Sequence, residues 1–148
     1  MKTSRVGAVV LSVWAALNGL VALAVTVATL LGMPSPALGL VLTPAEVAAV
    51  DPRVVAVVNA QALFANPGIV AVCLMVLVCT WKGVLTRTPW VWNMLAASLL
   101  PLAAFGFVSD AQLGMHNIIA NLGSSLMLVT GLALTYEART STNQPPPS

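Results

Sequence analysis

Charged residues are spaced so unevenly in this chain that four long stretches contain none. These stretches run from Val6 to Ala45, Val54 to Trp81, Thr88 to Ser109 and Ala111 to Tyr136. A helix needs about 20 mostly apolar residues to cross roughly 30 Å of hydrocarbon, where lipid tolerates no unpaired backbone groups. Only 7% of the residues are charged, against about a quarter in soluble domains. The sequence therefore predicts an all-α integral membrane protein folded as a four-helix bundle.

Each stretch predicts one span, and the first is cut short because Gly32 to Pro36 breaks the helix. The predicted single transmembrane domain covers residues 1–136, with a disordered, proline-rich cytoplasmic tail over 137–148. Its spans are expected at residues 6–31, 53–80, 89–108 and 111–136.

The second span contains Asn66-Pro67-Gly68, a strong turn signal. Either one helix continues through Pro67 with a kink, or a separate outer helix ends before Asn66 and a short span begins there. The single helix is favoured, because a span starting at Pro67 reaches Trp81 after only about 22 Å. Pro101 likewise lies inside the third span.

Basic residues predict the orientation, because cytoplasmic loops carry more of them. Arg53 stands alone on one side, and the other side holds Lys2, Arg5, Lys82, Arg87 and Arg139. Both termini are therefore expected in the cytoplasm. A composition rich in Ala, Val and Leu and poor in Lys is typical of a GC-rich bacterial genome, so the membrane is expected to be a bacterial plasma membrane. Aromatic anchors on the same side agree: Trp81, Trp90, Trp92 and Tyr136.

Three motifs on the opposite, outer side resemble helix N-caps. Thr43 to Glu46 is a capping box that predicts a short outer helix between spans 1 and 2, and Asp51 with Pro52 repeats the signal. Ser109, followed by a glutamine three residues on, predicts the start of the fourth helix, with Asp110 favourably placed in its first turn. These caps give the outer acids a structural role.

Several amides and hydroxyls lie inside the spans, and Pro67 and Pro101 leave the carbonyls of Leu63 and Ala97 in need of donors. Helical spacing and depth predict that the amides converge on one polar pocket in the outer half of the bundle, roofed by Asp110, His116 and the Pro44 helix. The alternative is that they join helices through hydrogen bonds. The predicted ligand-binding residues are Asn18, Asn59, Asn66, Asn121 and Ser124.

Reactive groups are few. Asp110 and His116 could form an acid–base pair only if the chain turns between them, which Gly114 permits. Cys73 and Cys79 point apart and form no recognisable metal site, so no metal or cofactor is expected. The six basic residues are too few for a nucleic-acid interface. Coupled transport and channel activity are disfavoured because the spans lack charges and a continuous polar lining.

Two functions remain from the sequence. The first is a non-catalytic accessory or ligand-binding subunit that binds a membrane lipid or lipophilic small molecule and associates with itself or a larger membrane complex. The second is a membrane-embedded isomerase, cyclase or hydrolase acting on a lipophilic molecule, with His116 as acid–base and Asp110 orienting it.

Overall fold

The computed structural model describes residues 2–84, 88–115 and 117–140, and its regular secondary structure within those ranges is entirely helical. A 3-10 turn covers Leu38–Leu40, and a π-helical segment, Thr80–Val84, continues the third helix. The five α-helices are α1 (Lys2–Leu30), α2 (Pro44–Ala49), α3 (Pro52–Cys79), α4 (Pro89–Gln112) and α5 (Ile118–Thr140).

In the described part of the chain, four helical segments are long and apolar enough to cross a membrane, which confirms the predicted number. They are Thr3–Leu30, Pro52–Val84, Trp90–Gln112 and Ile118–Tyr136. The 33-residue second segment is about 50 Å long at the helical rise. Because hydrocarbon is only about 30 Å thick, this helix must tilt or project beyond the lipid.

Some helix boundaries differ from the expected ones, and one open alternative is decided. Helix α5 extends to Thr140, so residues 137–140, assigned to the tail from the sequence, are helical. Residues 141–148 of the predicted tail lie outside the described ranges. Helix α3 runs through Pro67 without interruption, which confirms the single-helix alternative for the second span.

Neighbouring helices in the bundle are antiparallel. Trp81, in the π-helical segment that follows α3, donates to Ser12 in the first half of α1. Trp92 near the start of α4 donates to Leu132 near the end of α5. We call the end that holds these contacts the termini end, and the end that holds residues 31–51 and the turn after α4 the loop end. Helix α1 packs between α3 and α5, and α4 packs mainly against α5. Helix α3 contacts α4 only sparsely, so the bundle is open between these two helices.

The hydrophobic core lies toward the termini end. Its fully buried side chains include Leu11, Val76, Leu95, Leu99 and Leu128, which come from all four long helices. Trp81, Trp90 and Tyr136 are exposed at the same end.

Helices α1 and α5 approach most closely where each has a glycine. A Cβ added at Gly7 would lie 2.9 Å from the Gly131 carbonyl oxygen, and one added at Gly131 would lie 2.7 Å from Leu11 Cγ. Small residues that bring backbones together are the usual basis of helix packing in lipid. This contact fixes the spacing of α1 and α5 at the termini end.

The loop end is built by local capping rules. Gly32 adopts φ +82° and ends α1 in a Schellman motif, with Met33 N donating to Ala28 O and Gly32 N to Thr29 O. The predicted capping box of α2 is confirmed: Thr43 N and Oγ1 both donate to Glu46 Oε2 at 2.8 Å. These bonds, the backbone one first, lower the pKa of Glu46 from its ordinary value of 4.5.

Asp51 caps α3 as predicted, its carboxylate accepting from Arg53 N at 2.8 Å with Pro52 in the first turn. The chain thus re-enters the bundle directly after α2. These caps explain two of the three acids on this side without any catalytic role.

Candidate functional site: a cavity between the four long helices

A cavity of about 170 Å³ lies between the core and the loop end. All four long helices contribute to its wall, and α2 does not, so the expected roof formed by the Pro44 helix is wrong. We call it the central cavity; its lining includes Trp14, Asn18, Ile69, Ala103, Gly106, Asn121, Ser124 and Ser125.

Asn121 on α5 joins this wall to α4. Its Nδ2 donates to Asp110 Oδ2 at 2.7 Å and to Gly106 O at 3.2 Å. Gly106 has no side chain, and a Cβ there would already lie 3.6 Å from the Asn121 amide. Within the described ranges, the Asn121 carbonyl oxygen Oδ1 accepts no hydrogen bond. The side chain therefore joins two helices and still has a free acceptor.

Asp110 lies in the last turn of α4 and is only 2% exposed. The prediction that Ser109 starts the fourth helix is wrong, because α4 continues to Gln112 and α5 begins at Ile118. Met115 N donates to Asp110 O at 2.7 Å, which is the six-to-one hydrogen bond of a Schellman C-cap. Gly114 has the left-handed conformation of that motif, with φ 73°. Asp110 therefore sits at the negative end of a helix dipole, which is unfavourable for a carboxylate, and is held there by Asn121.

The α1 side of the wall is formed by Trp14 and Asn18. Trp14 Nε1 donates to Ser124 Oγ at 2.9 Å, which joins α1 to α5. Asn18 Nδ2 donates to Trp14 O at 2.8 Å, one turn back on its own helix. Nothing in the described part of the chain donates to Asn18 Oδ1. Asn18 therefore joins no helices, which separates it from amides that serve only to hold helices together.

The two predicted amides of α3 lie elsewhere. Asn59 binds the segment after α1, accepting from Ser35 N at 2.9 Å and donating to Met33 O at 3.2 Å. Asn66 donates to Ala62 O on its own helix. It lines a separate loop-end cleft of about 560 Å³ with Ser109. The structure thus brings together Asn18, Asn121 and Ser124 but not Asn59 and Asn66.

The backbone carbonyls that the two prolines leave without a donor do not accept hydrogen bonds from the expected amides. In residues 2–84, 88–115 and 117–140, no side chain donates to Leu63 O or Ala97 O; Asn66 binds the neighbouring Ala62 O instead. The expectation that the amides of the spans supply donors to these two carbonyls is therefore wrong.

The other candidates for chemistry offer little. His116 lies outside the described residues, so its distance from Asp110 is not part of the structure. Cys73 and Cys79 are free thiols. Among the described residues there is no cluster of three metal-binding side chains.

Sequence reasoning missed Trp14 and Gly106. Trp14 lies in the middle of a span, away from the interfaces where tryptophan is usually found, and is 6% exposed. A buried indole N–H needs an acceptor. The presence of a tryptophan in the middle of a predicted span therefore indicates, from the sequence alone, that its indole N–H has a polar partner within the bundle.

Four apolar helices of this length make the chain a multi-pass membrane protein by length and composition. Comparisons with protein-family models, curated proteins and solved structures give no match. The particular function therefore has to be argued from the cavity itself.

Proposed function

We propose that this protein binds a lipophilic molecule in the central cavity and does not transform it. It acts as an accessory or ligand-binding subunit in a bacterial plasma membrane, with both termini in the cytoplasm and the cavity in the outer half of the bilayer. The positive-inside pattern supports this orientation. The carrying observation is that Asn18 and Asn121 both line the cavity and that their amide oxygens have no donor in the described ranges.

Unpaired amide oxygens define the kind of ligand. Among the described residues, Thr80 Oγ1 is the one fully buried side-chain oxygen or nitrogen without a partner, so the two amide oxygens are accessible rather than enclosed in the core. An accessible amide oxygen without a donor still costs free energy where no water is present. Asn121 uses both N–H bonds of its NH2 group, whereas Asn18 uses one. The two amide oxygens, together with the Ser125 hydroxyl, which has no partner within the described part of the chain, are free to accept from a ligand. A ligand that brings a hydroxyl donor on an otherwise apolar body fits this arrangement.

Binding can be tested with two probes that differ in their donors. Monoolein carries two hydroxyl donors, whereas methyl oleate has a similar chain and no donor. Native mass spectrometry of protein released from nanodiscs containing each probe should show monoolein retained and methyl oleate lost. Equal retention of both would contradict a donor-specific site.

A matched pair of variants localises the binding. Ala103 lines the central cavity, and the adjacent Ala104 is exposed. Filling a packed site costs about 1–3 kcal/mol, so Ala103→Leu should weaken monoolein binding about 5- to 150-fold. Ala104→Leu should leave it unchanged. If both variants bind like the natural chain, the cavity is not the site; Ser125→Leu repeats the test from α5.

An enzyme is the second candidate, and Asp110 is the observation that favours it. Asp110 is only 2% exposed and accepts a hydrogen bond from Asn121, a residue of the cavity wall. The hypothesis assigns His116 the role of acid–base and Asp110 that of orienting it. On this hypothesis, His116→Gln abolishes conversion of a membrane lipid extract, followed by mass spectrometry, and leaves monoolein binding intact. Identical product profiles for the natural chain and the variant would reject it.

We further propose that the protein associates with itself or with a larger complex. The supporting observation is the outward face of α3, which has the smallest buried share of the four spans and carries Phe64 at 89% exposure. Native mass spectrometry from mild detergent should show an oligomer. A monomer at all protein concentrations would reject self-association.

A further inference from the structure

A second cavity shares part of its lining with the central cavity. It has a volume of about 500 Å³ and runs between α1 and α5 toward the loop end. We call it the α1–α5 groove; its own lining includes Leu17, Val21, Ile119, Ala120, Gly123 and Met127. Both cavities share one wall, formed by Trp14, Asn18, Asn121 and Ser124.

The groove follows from how α1 and α5 pack. Their backbones touch where Gly7 meets Gly131, and farther along, at Trp14 and Ser124, they are held apart by side chains. Leu17 is 53% exposed and Ile119 85% exposed, so the groove opens onto the surface that faces lipid. A Cβ at Gly123 would meet nothing within 4 Å, which marks open space in the groove floor.

Size indicates that the two cavities act together. Ligand sites usually measure about 300–1,000 Å³, and the central cavity, at about 170 Å³, falls below that range. The adjoining groove falls within it. The central cavity can hold a polar head, whereas an acyl chain needs the additional volume of the groove.

We infer that the ligand is a single-chain neutral amphiphile whose hydroxyl head lies in the central cavity and whose chain lies in the α1–α5 groove. This inference rests on the proposed function. The chain crosses the shared wall beside the Trp14–Ser124 hydrogen bond, and the head donates to Asn18 and Asn121. Because the groove faces lipid, the molecule enters sideways from the bilayer and its chain never crosses water.

Two glycines provide matched variants for the test. Gly123 lies in the groove, Gly68 lies on α3 away from it, and both have open space around an added Cβ. Gly123→Leu and Gly68→Leu therefore change the same helix propensity, but only the first fills the groove. Helical circular dichroism checks that each variant folds, and Ala120→Leu offers a second way to fill the groove.

The probes are monoolein and monobutyrin, which share a glycerol head but differ in chain length. Gly123→Leu and Ala120→Leu should weaken monoolein binding about 5- to 150-fold and leave monobutyrin binding unchanged. Gly68→Leu should change neither.

The outcomes separate this inference from the proposed function. If Gly123→Leu leaves monoolein binding unchanged while Ala103→Leu weakens it, the groove assignment is wrong and the cavity assignment stands. If Gly123→Leu weakens both glycerides equally, the chain does not lie in the groove. If neither glyceride binds the natural chain, the proposed function fails.

Discussion

Gly7 lets α1 lie against α5, and its replacement by alanine tests whether that contact sets the bundle. An added Cβ would lie 2.8 Å from Leu134 Cβ and 2.9 Å from Gly131 O. Carbon atoms pack best about 3.5–4.0 Å apart, so the helices would have to separate by roughly 0.7 Å. The Gly131 oxygen belongs to the backbone, so changing a rotamer does not relieve that overlap.

Two effects of opposite sign contribute to the free energy of unfolding. Overpacking costs about 1–3 kcal/mol, whereas alanine exceeds glycine in helix propensity by about 1 kcal/mol. Gly68→Ala gains the propensity without a clash, because nothing lies within 4 Å of an added Cβ. The difference between the two variants therefore isolates the clash, and Gly7→Ala should be less stable than Gly68→Ala by about 1–3 kcal/mol.

Equilibrium unfolding in mixed dodecylphosphocholine and SDS micelles, followed by helical circular dichroism, measures this difference. The natural chain gives the reference for each variant. If the free energies of unfolding of the two variants agree within about 0.5 kcal/mol, the usual error of additivity, then α1 and α5 do not pack as described.

Three further predictions concern the hydrogen bonds and the orientation. Ser124→Ala removes the acceptor of Trp14 Nε1 and leaves a buried donor unpaired, which should cost about 1–3 kcal/mol in the same unfolding assay. Ser98→Ala, which breaks no bond in the described chain, should cost nothing. The hydrogen bonds from Thr43 place the pKa of Glu46 below its ordinary 4.5, so they stabilise α2 above that pH and cease to do so as pH falls through the lowered pKa. The protection factors of the α2 amides, which are the exchange rates corrected for the intrinsic rate at each pH, should therefore fall on acidification, and unchanged protection factors would reject the capping box. Fused at the C-terminus, green fluorescent protein should fluoresce and alkaline phosphatase should be inactive, and the reverse pattern would reject the proposed orientation.

The parts of the fold that could be predicted depend on local rules. The length of the charge-free stretches was enough to predict four spans, because lipid excludes unpaired backbone groups and each stretch must therefore be helical. The capping box at Thr43 and the cap at Asp51 need only neighbouring residues, and both were predicted correctly. A helix through Pro67 followed from the length that a bilayer requires.

The prediction that Ser109 starts the fourth helix was wrong for a local reason as well. A serine followed three residues later by glutamine has the same spacing inside the end of one helix as at the start of the next. The deciding feature was Gly114, whose left-handed conformation ends α4 after Gln112. A glycine just after a helix marks its C-terminus more strongly than this serine marks an N-terminus.

The site was only partly predictable, because the depth of a residue along its helix does not determine which other helices it faces. Counting residues placed Asn18, Asn66 and Asn121 near the midplane, but the sequence does not show which helices are neighbours. Helix α1 packs between α3 and α5, and α3 contacts α4 only sparsely, so Asn66 lines a different cleft. Tertiary arrangement, not helical spacing, determines which amides meet.

The central claim is that the amide oxygens of Asn18 and Asn121 receive the ligand's donors, and NMR of these side chains tests it most directly. The protein is labelled with 15N-asparagine in bicelles, and monoolein or methyl oleate is added. We predict that monoolein shifts the side-chain amide signals of Asn18 and Asn121, leaves that of Asn59 in place, and that methyl oleate shifts none. Unmoved signals for Asn18 and Asn121, or equal shifts with both probes, would contradict the account.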